Sequence, residues 1–143
     1  MEIVFELPIP GPKLSPNARV AWYATLPDKQ FCRDQAELEA LRFIRKWELE
    51  SGFIWQPEAK AIVQANFCFK SNRKRDKDNF GAMLKATWDG ITKAKLWEDD
   101  SGITHLPILF TTGVQKSRVE ITVYTGDSAP SGLSHTPVEI GDI

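Results

Sequence analysis

Four aspartates in the middle of the chain form two close groups with the spacing of a metal-binding site. Asp76 and Asp78 are two residues apart, and Asp99 and Asp100 are adjacent. Carboxylates held this close repel one another unless a cation lies between them. Oxygen ligands of this kind are those that Mg²⁺ prefers, with Mn²⁺ able to substitute. The pattern therefore favours a hard divalent cation bound by carboxylates.

The geometry at the first pair depends on the local backbone. If the chain is extended at Asp76 and Asp78, a period of two directs both side chains to the same side. If a helix begins here, Asp78 or Asn79 serves instead as its N-cap, which is the favoured interpretation of Asp78 taken alone. The second pair completes a run of three acids, residues 98–100. An exposed acidic turn, or a cap before the next strand, is the alternative there.

A helical pattern follows the first pair. Over residues 79–94 the apolar residues recur at core spacing, namely at Phe80, Met83, Leu84, Trp88 and Ile91. At about 100° per residue, Lys85 and Asp89 share a stripe of this helix with Asp78. A lysine beside a carboxylate cluster can stabilise the charge of a phosphate in a transition state. The alternative is an exposed ion pair between Lys85 and Asp89, worth a few tenths of a kcal/mol.

Basic residues are concentrated around these acids, although the whole chain carries a net charge of only -1. Residues 70–95 hold eight basic residues against three acidic ones. A local field of this kind attracts phosphate groups. A solvated charged loop, with no ligand, is the alternative interpretation.

The composition is that of an ordinary globular protein, with 42% hydrophobic and 26% charged residues. No stretch approaches the ~20 apolar residues that a membrane span needs, so we expect a cytoplasmic protein without a membrane partner. The two cysteines have neither metal nor disulfide spacing, and Cys68 is predicted to be a buried thiol. We expect no catalytic role for His105, a predicted strand residue, or for His135 in the tail.

The predicted elements run strand, loop, helix, strand, helix, strand, strand. This order indicates an α+β or α/β fold, with a single small mixed β-sheet and two main helices. Residues 1–125 are predicted to form a single domain. The segment 126–143, which is rich in Ser, Pro and Gly, is predicted to be disordered. The predicted strands are Ile3–Leu7, Ala61–Lys70, Ile103–Thr111 and Arg118–Tyr124, with a short extended piece at Asn17–Trp22.

The first helix is predicted to begin with Asp28 as its N-cap and to end near Ser51 and Gly52. Its predicted core face consists of Leu38, Leu41, Ile44 and Trp47. Pro107 predicts an edge or a bulge in the third main strand. Trp55 and Trp97 fall in predicted loops, where either could contact a partner subunit or an unpaired base.

Taken together, these motifs resemble the RusA-type Holliday junction resolvases of bacteria and their prophages. The family pattern is Asp-x-Asp-Asn, then Lys-x-x-x-Asp in a helix, then Asp-Asp eleven residues on. Here these are residues 76–79, 85–89 and 99–100, and the similarity covers about residues 60–124. The segment Ser15–Trp22 is similar to the family's N-terminal loop and strand. Lys85 follows Asn79 by six residues where the commoner pattern has three, and Ala21 stands where many relatives have histidine.

The resemblance implies a homodimeric, Mg²⁺-dependent endonuclease without a nucleotide cofactor. Such an enzyme binds a four-way DNA junction and nicks two opposed strands symmetrically, in DNA recombination and repair. By resemblance, Asp76, Asp78 and Asp100 hold the metal, Lys85 stabilises phosphate charge, and Asn79, Asp89 and Asp99 support the site. The implied DNA contacts are Arg73, Lys74, Arg75 and Lys77, with Asn17 and Arg19 as further candidates.

Three other functions remain open at this point. The first is a branched-DNA-binding protein that keeps the fold but does not cleave. The second is a metal-dependent transferase, although no glycine-rich phosphate loop supports it. The third is a structural protein whose acids are only caps and turns.

Overall fold

A computed structural model describes residues 1–75 and 77–126, apart from the side chain of Asp78. The predicted tail from residue 127 onward, with His135, lies outside the described residues, as does Asp76. The described chain forms one five-stranded mixed sheet with two main helices, which confirms the predicted α+β class. The strands are β1 Glu2–Leu7, β2 Ala61–Phe69, β3 Ile103–His105, β4 Leu109–Thr112 and β5 Arg118–Tyr124, and the helices are α1 Leu26–Ser51 and α2 Lys85–Lys93.

Strand β5 lies between β1 and β2 and runs antiparallel to both. The other edge of β2 pairs with β3 and then with β4, both in parallel. Residues 106–108 separate these two strands, because Pro107 has no N–H for the ladder. The edge position that Pro107 predicted is confirmed, since β3 and β4 lie at one edge of the sheet, but the single strand predicted over Ile103–Thr111 is two strands.

One face of the sheet and both helices enclose the core. The inward residues of β2 are the four that period two predicted, Val63, Ala65, Phe67 and Phe69. Ala36 and Ala40 of α1, and Ile91 of α2, pack against the same face. Cys68 points to the opposite face and is only 1% exposed, which confirms the predicted buried thiol.

Helix α1 begins earlier than predicted. Its N-cap is Thr25 rather than Asp28, and Pro27 occupies the first turn, where a missing N–H costs nothing. Asp28 lies inside that first turn, where a carboxylate interacts favourably with the helix dipole. The end of the helix is as predicted, since Gly52 caps it with a φ of 78°.

The face that α1 buries differs in part from the prediction. Leu38 and Leu41 are 41% and 46% exposed, so their assignment to the core is wrong. Ile44 and Trp47 do pack against the core. The stripe closest to the neighbouring elements consists of the small buried residues Cys32, Ala36 and Ala40. These small residues let α1 approach the neighbouring elements closely, whereas Leu38 and Leu41 face outward.

The helix predicted over residues 79–94 starts later. Two 3₁₀ turns precede it, Lys77–Asn79 and Ala82–Leu84. Helix α2 begins only at Lys85, so neither Asp78 nor Asn79 is its N-cap. Asp78 also lies outside the helical stripe of Lys85 and Asp89, contrary to the prediction. The apolar positions of this segment are buried or half-buried as predicted.

The proline-rich segment after β1 forms no strand in the described part of the chain. The short extended piece expected at Asn17–Trp22 therefore does not join the sheet, although Ala21 has extended backbone angles, φ -61° and ψ 143°. Short 3₁₀ turns occur there instead, at Pro12–Leu14 and Trp22–Thr25. Among the described residues, neither helix combines the length and the apolar composition that crossing a bilayer requires.

Candidate metal and nucleic-acid site

The second acidic pair lies in an exposed turn between α2 and β3. The 3₁₀ turn Asp100–Gly102 follows Asp99, whose carboxylate accepts a hydrogen bond from the backbone N–H of Ser101 at 3.4 Å. Both carboxylates face solvent. The alternative drawn from the sequence, a cap before the next strand, therefore describes Asp99 correctly. Asp100 begins the turn, and its side chain forms a hydrogen bond with that of Asp99.

The two flanks of this acidic turn are fixed. On one side Trp97 is 1% exposed and forms an isolated β-bridge with Glu58. On the other side Gly102 packs directly on the segment before β2. A Cβ atom at Gly102 would lie 2.0 Å from the carbonyl oxygen of Ala59, so no larger residue fits there without a shift of backbone. The acids are thus held on a rigid support although they are exposed.

Asp99 and Asp100 interact strongly with each other. The hydrogen bond with Asp99, and then the negative charge of Asp99, raise the pKa of Asp100 above that of an ordinary carboxyl group. The hydrogen bond with Asp100, and then that with the backbone of Ser101, lower the pKa of Asp99. The pair therefore holds a proton more readily than two separate carboxylates, which is the condition that a bound cation relieves.

Helix α2 brings two further charges to the same region. Lys85 Nζ lies 3.8 Å from the Oδ1 atom of Asp89. The Lys85 side chain is 81% exposed, and that of Asp89 is 41% exposed. The charge of Lys85 lowers the pKa of Asp100, and the charge of Asp89 raises it. The fold thus brings together predicted site residues from α2 and from the acidic turn.

Of the three predicted metal ligands, only the side chain of Asp100 is among the described residues. The backbone of Asp78 lies in a 3₁₀ turn, so the extended conformation assumed for the first pair is wrong at this residue. Asn79, in the same turn, is half-buried and lines a cleft that is described below.

His105 joins the region, although the sequence suggested no role for it. Its ring contacts that of Trp88 edge to face, with 5.0 Å between the centroids. Burial lowers the pKa of His105, and the negative charge of Asp100 partly offsets that effect. The parallel pairing of β3 with β2, which places His105 beside Val63, was not predictable from local periodicity.

The basic loop, defined here as residues 70–75 together with Lys77, follows the end of β2. Arg73, Lys74 and Lys77 are exposed. Arg75 instead holds the loop together, because its guanidinium donates to the carbonyls of Ser71 and Arg73 at 3.0 Å. The same group lies 3.7 Å from the centre of the Phe69 ring, which is a cation–π contact. The predicted DNA contacts therefore differ in kind, with Arg75 acting mainly as a support.

A cleft of about 560 Å³ separates the basic loop from the proline-rich segment. Asn17 lines one side of it, and Arg73, Lys74 and Arg75 line the other. Its floor is apolar and includes Phe69, Phe80 and Met83. Arg19 is exposed but does not line this cleft. The structure thus groups Asn17 with the basic loop and leaves Arg19 apart.

A smaller cleft, of about 200 Å³, contains Lys85 and Asp89 and shares Met83 with the larger one. The acidic turn precedes Ile103, which pairs with Ala61 at the start of β2, whereas the basic loop follows Phe69 at its end. Residues 77–84 lead from the basic loop to Lys85.

Trp55 and Trp97 lie outside the helices and strands, as predicted, but both are buried. Trp55 and Trp97 are 8% and 1% exposed, so neither is available to a partner or a base. Their indole N–H groups donate within the protein, to the carbonyl of Leu96 and to the hydroxyl of Thr92 respectively. Trp22 is the exposed one, at 74%. Burial with a satisfied N–H explains how a tryptophan in a loop can belong to the core.

Comparison of the chain with protein-family models gave no match, and comparison with curated protein sequences gave none either.

Proposed function

We propose that the chain is a Mg²⁺-dependent endonuclease of the RusA type, with branched DNA, above all a four-way junction, as its substrate. The observation that carries this proposal is the contact between helix α2, which begins with Lys85 and carries Asp89, and the 3₁₀ turn that begins with Asp100. These residues come from separate segments of the motif that resembles the resolvases. If the acids served only as caps and turns, nothing would require them to converge with an exposed lysine.

The donor set of the site fits a hard divalent cation. Asp100 offers an exposed carboxylate, and its neighbour Asp99 makes the local potential strongly negative. We propose that Asp76, Asp78 and Asp100 bind Mg²⁺. When bound, this ion activates water for in-line attack and stabilises the leaving oxygen.

The remaining roles belong to the chain's own groups. Lys85 places a positive charge beside Asp100, where it stabilises the phosphate that reacts. Asp89 positions the lysine through their 3.8 Å ion pair. Asp99 supports the turn through its hydrogen bond to Ser101. We therefore propose that Lys85 stabilises phosphate charge although it lies three residues later than in the commoner pattern. Helix α2 begins at this residue and contacts the turn that carries Asp100.

The basic loop and the larger cleft fit a DNA backbone. Arg73, Lys74 and Lys77 supply exposed positive charge, and such contacts give affinity rather than sequence reading. A homodimer with two such sites suits a junction, since both have two-fold symmetry.

The test is cleavage of a labelled four-way junction, beside a linear duplex of the same arm sequence, in Mg²⁺. The variants are Asp78→Asn and Asp100→Asn, with Glu98→Gln as the matched control. Glu98 is an exposed acid in the same run, to which the proposal gives no role. We expect paired, symmetric nicks in the junction only. Both aspartate variants should lose nicking and keep junction binding, whereas Glu98→Gln should retain both.

Other outcomes favour other functions. Junction binding without nicks from the unaltered protein supports a non-cleaving DNA-binding protein of the same fold. Binding of a Mg²⁺–nucleotide complex without preference for DNA supports a transferase. If the protein neither binds nor cuts DNA, the proposal is wrong, and the acids serve only as caps and turns.

A further inference from the structure

The outward side of α1 carries large apolar residues that nothing covers in the described chain. Leu38, Leu41 and Leu49 are 41%, 46% and 73% exposed, and Phe31 is 51% exposed. Scattered exposed leucines are normal, but a row of them along one helix marks an interaction surface.

These residues form one stripe. At about 100° per residue they fall, together with Asp34 and Arg45, within a sector about 80° wide. We call this set the outer stripe, consisting of Pro27, Phe31, Asp34, Leu38, Leu41, Arg45 and Leu49. All seven residues are exposed. Their spacing alternates between four and three residues until Arg45, which is the spacing of a seam between two helices.

The charges within the outer stripe are arranged symmetrically. Counted along the sequence, Asp34 and Arg45 lie almost equally far from the middle of the stripe, which is at the level of Ala40, and on opposite sides of it. Phe31 and Leu49 are likewise equidistant from that point. Asp34 accepts a hydrogen bond from the neutral side chain of Gln30 at 2.6 Å. In the described part of the chain neither Asp34 nor Arg45 forms an ion pair within 4.0 Å.

We propose that the outer stripe is the surface on which a second copy of this chain docks, with the two α1 helices antiparallel about a two-fold axis that passes between Leu38 and Leu41. In that arrangement Asp34 faces Arg45 of the second copy, and Leu38 faces Leu41. A parallel arrangement would instead place like charges opposite each other, which is unfavourable. The stripe is thus complementary to itself in one orientation, which favours a second copy over an unrelated partner.

The outer stripe leaves the candidate site open. Lys29 and Arg33 of α1 line the smaller cleft beside Lys85 and Asp89. On the helix they lie about 140° to 180° away from Leu38. A dimer formed through the outer stripe therefore exposes two copies of the site. The outer stripe is then the interface of the homodimer in the proposed function, and only this link rests on that function.

The test measures mass in solution by sedimentation across a concentration series, without DNA. The variants are Asp34→Arg, Arg45→Asp and the double variant. Lys46→Asp is the matched control, because Lys46 points about 100° away from Arg45 on the same helix. All three positions are exposed, and circular dichroism checks that each variant is folded.

We expect a dimer for the unaltered chain and for Lys46→Asp. Each single variant should weaken the dimer by at least about tenfold, since it places like charges opposite each other. The double variant should recover most of this loss. A monomeric unaltered chain, a dimer that ignores the single changes, or a double variant without recovery would overturn the assignment.

This result is independent of the cleavage assay. A dimer that responds as expected but leaves junctions intact refutes the proposed function and keeps the interface. A nuclease whose dimer ignores Asp34 and Arg45 refutes the interface and keeps the function.

Discussion

Helices α1 and α2 meet at Gly90, and this contact allows a sharp test of the fold. A Cβ atom at Gly90 would lie 2.3 Å from the carbonyl oxygen of Arg33 and 3.0 Å from the Cβ atom of Ala36. An ordinary contact of carbon with carbonyl oxygen is about 3.3 Å or longer. Because the atom in the way belongs to the backbone of α1, no side-chain rotation relieves the clash. Gly90→Ala therefore forces the two helices apart by about 1 Å.

The expected loss of stability follows from two opposing terms. Overpacking of a close contact costs about 1–3 kcal/mol. Alanine regains about 1 kcal/mol relative to glycine inside a helix. Because the clashing group is rigid backbone, we expect an overpacking cost in the upper part of its range, about 2–3 kcal/mol. The net loss is then about 1–2 kcal/mol, or a fall in Tm of about 4–8 °C for a domain of this size.

Gly81→Ala is the matched control. Gly81 has helical backbone angles, φ -60° and ψ -42°. A Cβ atom there meets only the terminal methyl of Ile108, at 3.3 Å. We expect Gly81→Ala to be neutral or to stabilise the fold by up to about 1 kcal/mol, since it restricts the unfolded chain. Thermal and urea unfolding, followed by circular dichroism, should show that Gly90→Ala is less stable than the unaltered protein and that Gly81→Ala is equally or more stable. A Gly90→Ala protein as stable as the Gly81→Ala protein would show that the helices are not packed this closely.

Two further tests address the thiols and the basic loop. Cys32 and Cys68 are 6% and 1% exposed, and burial raises the pKa of both thiols, so neither should react with Ellman's reagent at pH 8 until the protein is unfolded. Rapid labelling of either thiol in the folded protein would contradict this burial. Arg73→Ala should leave Tm unchanged and reduce the salt dependence of DNA binding by about one counterion, whereas Arg75→Ala should lower Tm because its side chain supports the loop. Equal effects of the two arginine variants on Tm would refute the distinction between contact and support.

The strands and the fold class followed from local patterns. Alternation in β2 gave the correct inward face, and Pro107 correctly indicated an edge position, although not the division into β3 and β4. The choice of face on α1 did not follow, because the helix has apolar residues on two sides. Ala36 and Ala40, rather than Leu38 and Leu41, face the core, since small residues permit the close contact with α2 at Gly90. Periodicity alone does not rank two such faces.

The site was predictable as a set of residue types, and its geometry only in part. The pair Lys85 and Asp89 requires no more than helical spacing, and the structure has it. The approach of Asp100 to this pair depends on the pairing of β3 with β2, a contact between distant segments. The division of the 79–94 segment into 3₁₀ turns and a short helix also depends on tertiary packing, including Phe80 against Phe67 and Phe110. Sequence spacing therefore proposed the acids as site residues, which stays a prediction, and misplaced Asp78 on the stripe of α2.

The support beneath the acidic turn has a thermodynamic consequence for any cation bound there. Trp97 anchors one flank of the turn and Gly102 the other, so the backbone that carries Asp99 and Asp100 is ordered when the protein folds. Ordering one residue of a free loop costs about 1–2 kcal/mol of conformational entropy. Here the burial of Trp97 offsets this entropy cost when the protein folds, so ligand binding does not incur it. The repulsion between the two carboxylates is likewise present before any ligand binds, so a cation at this turn would relieve it without having to order the backbone.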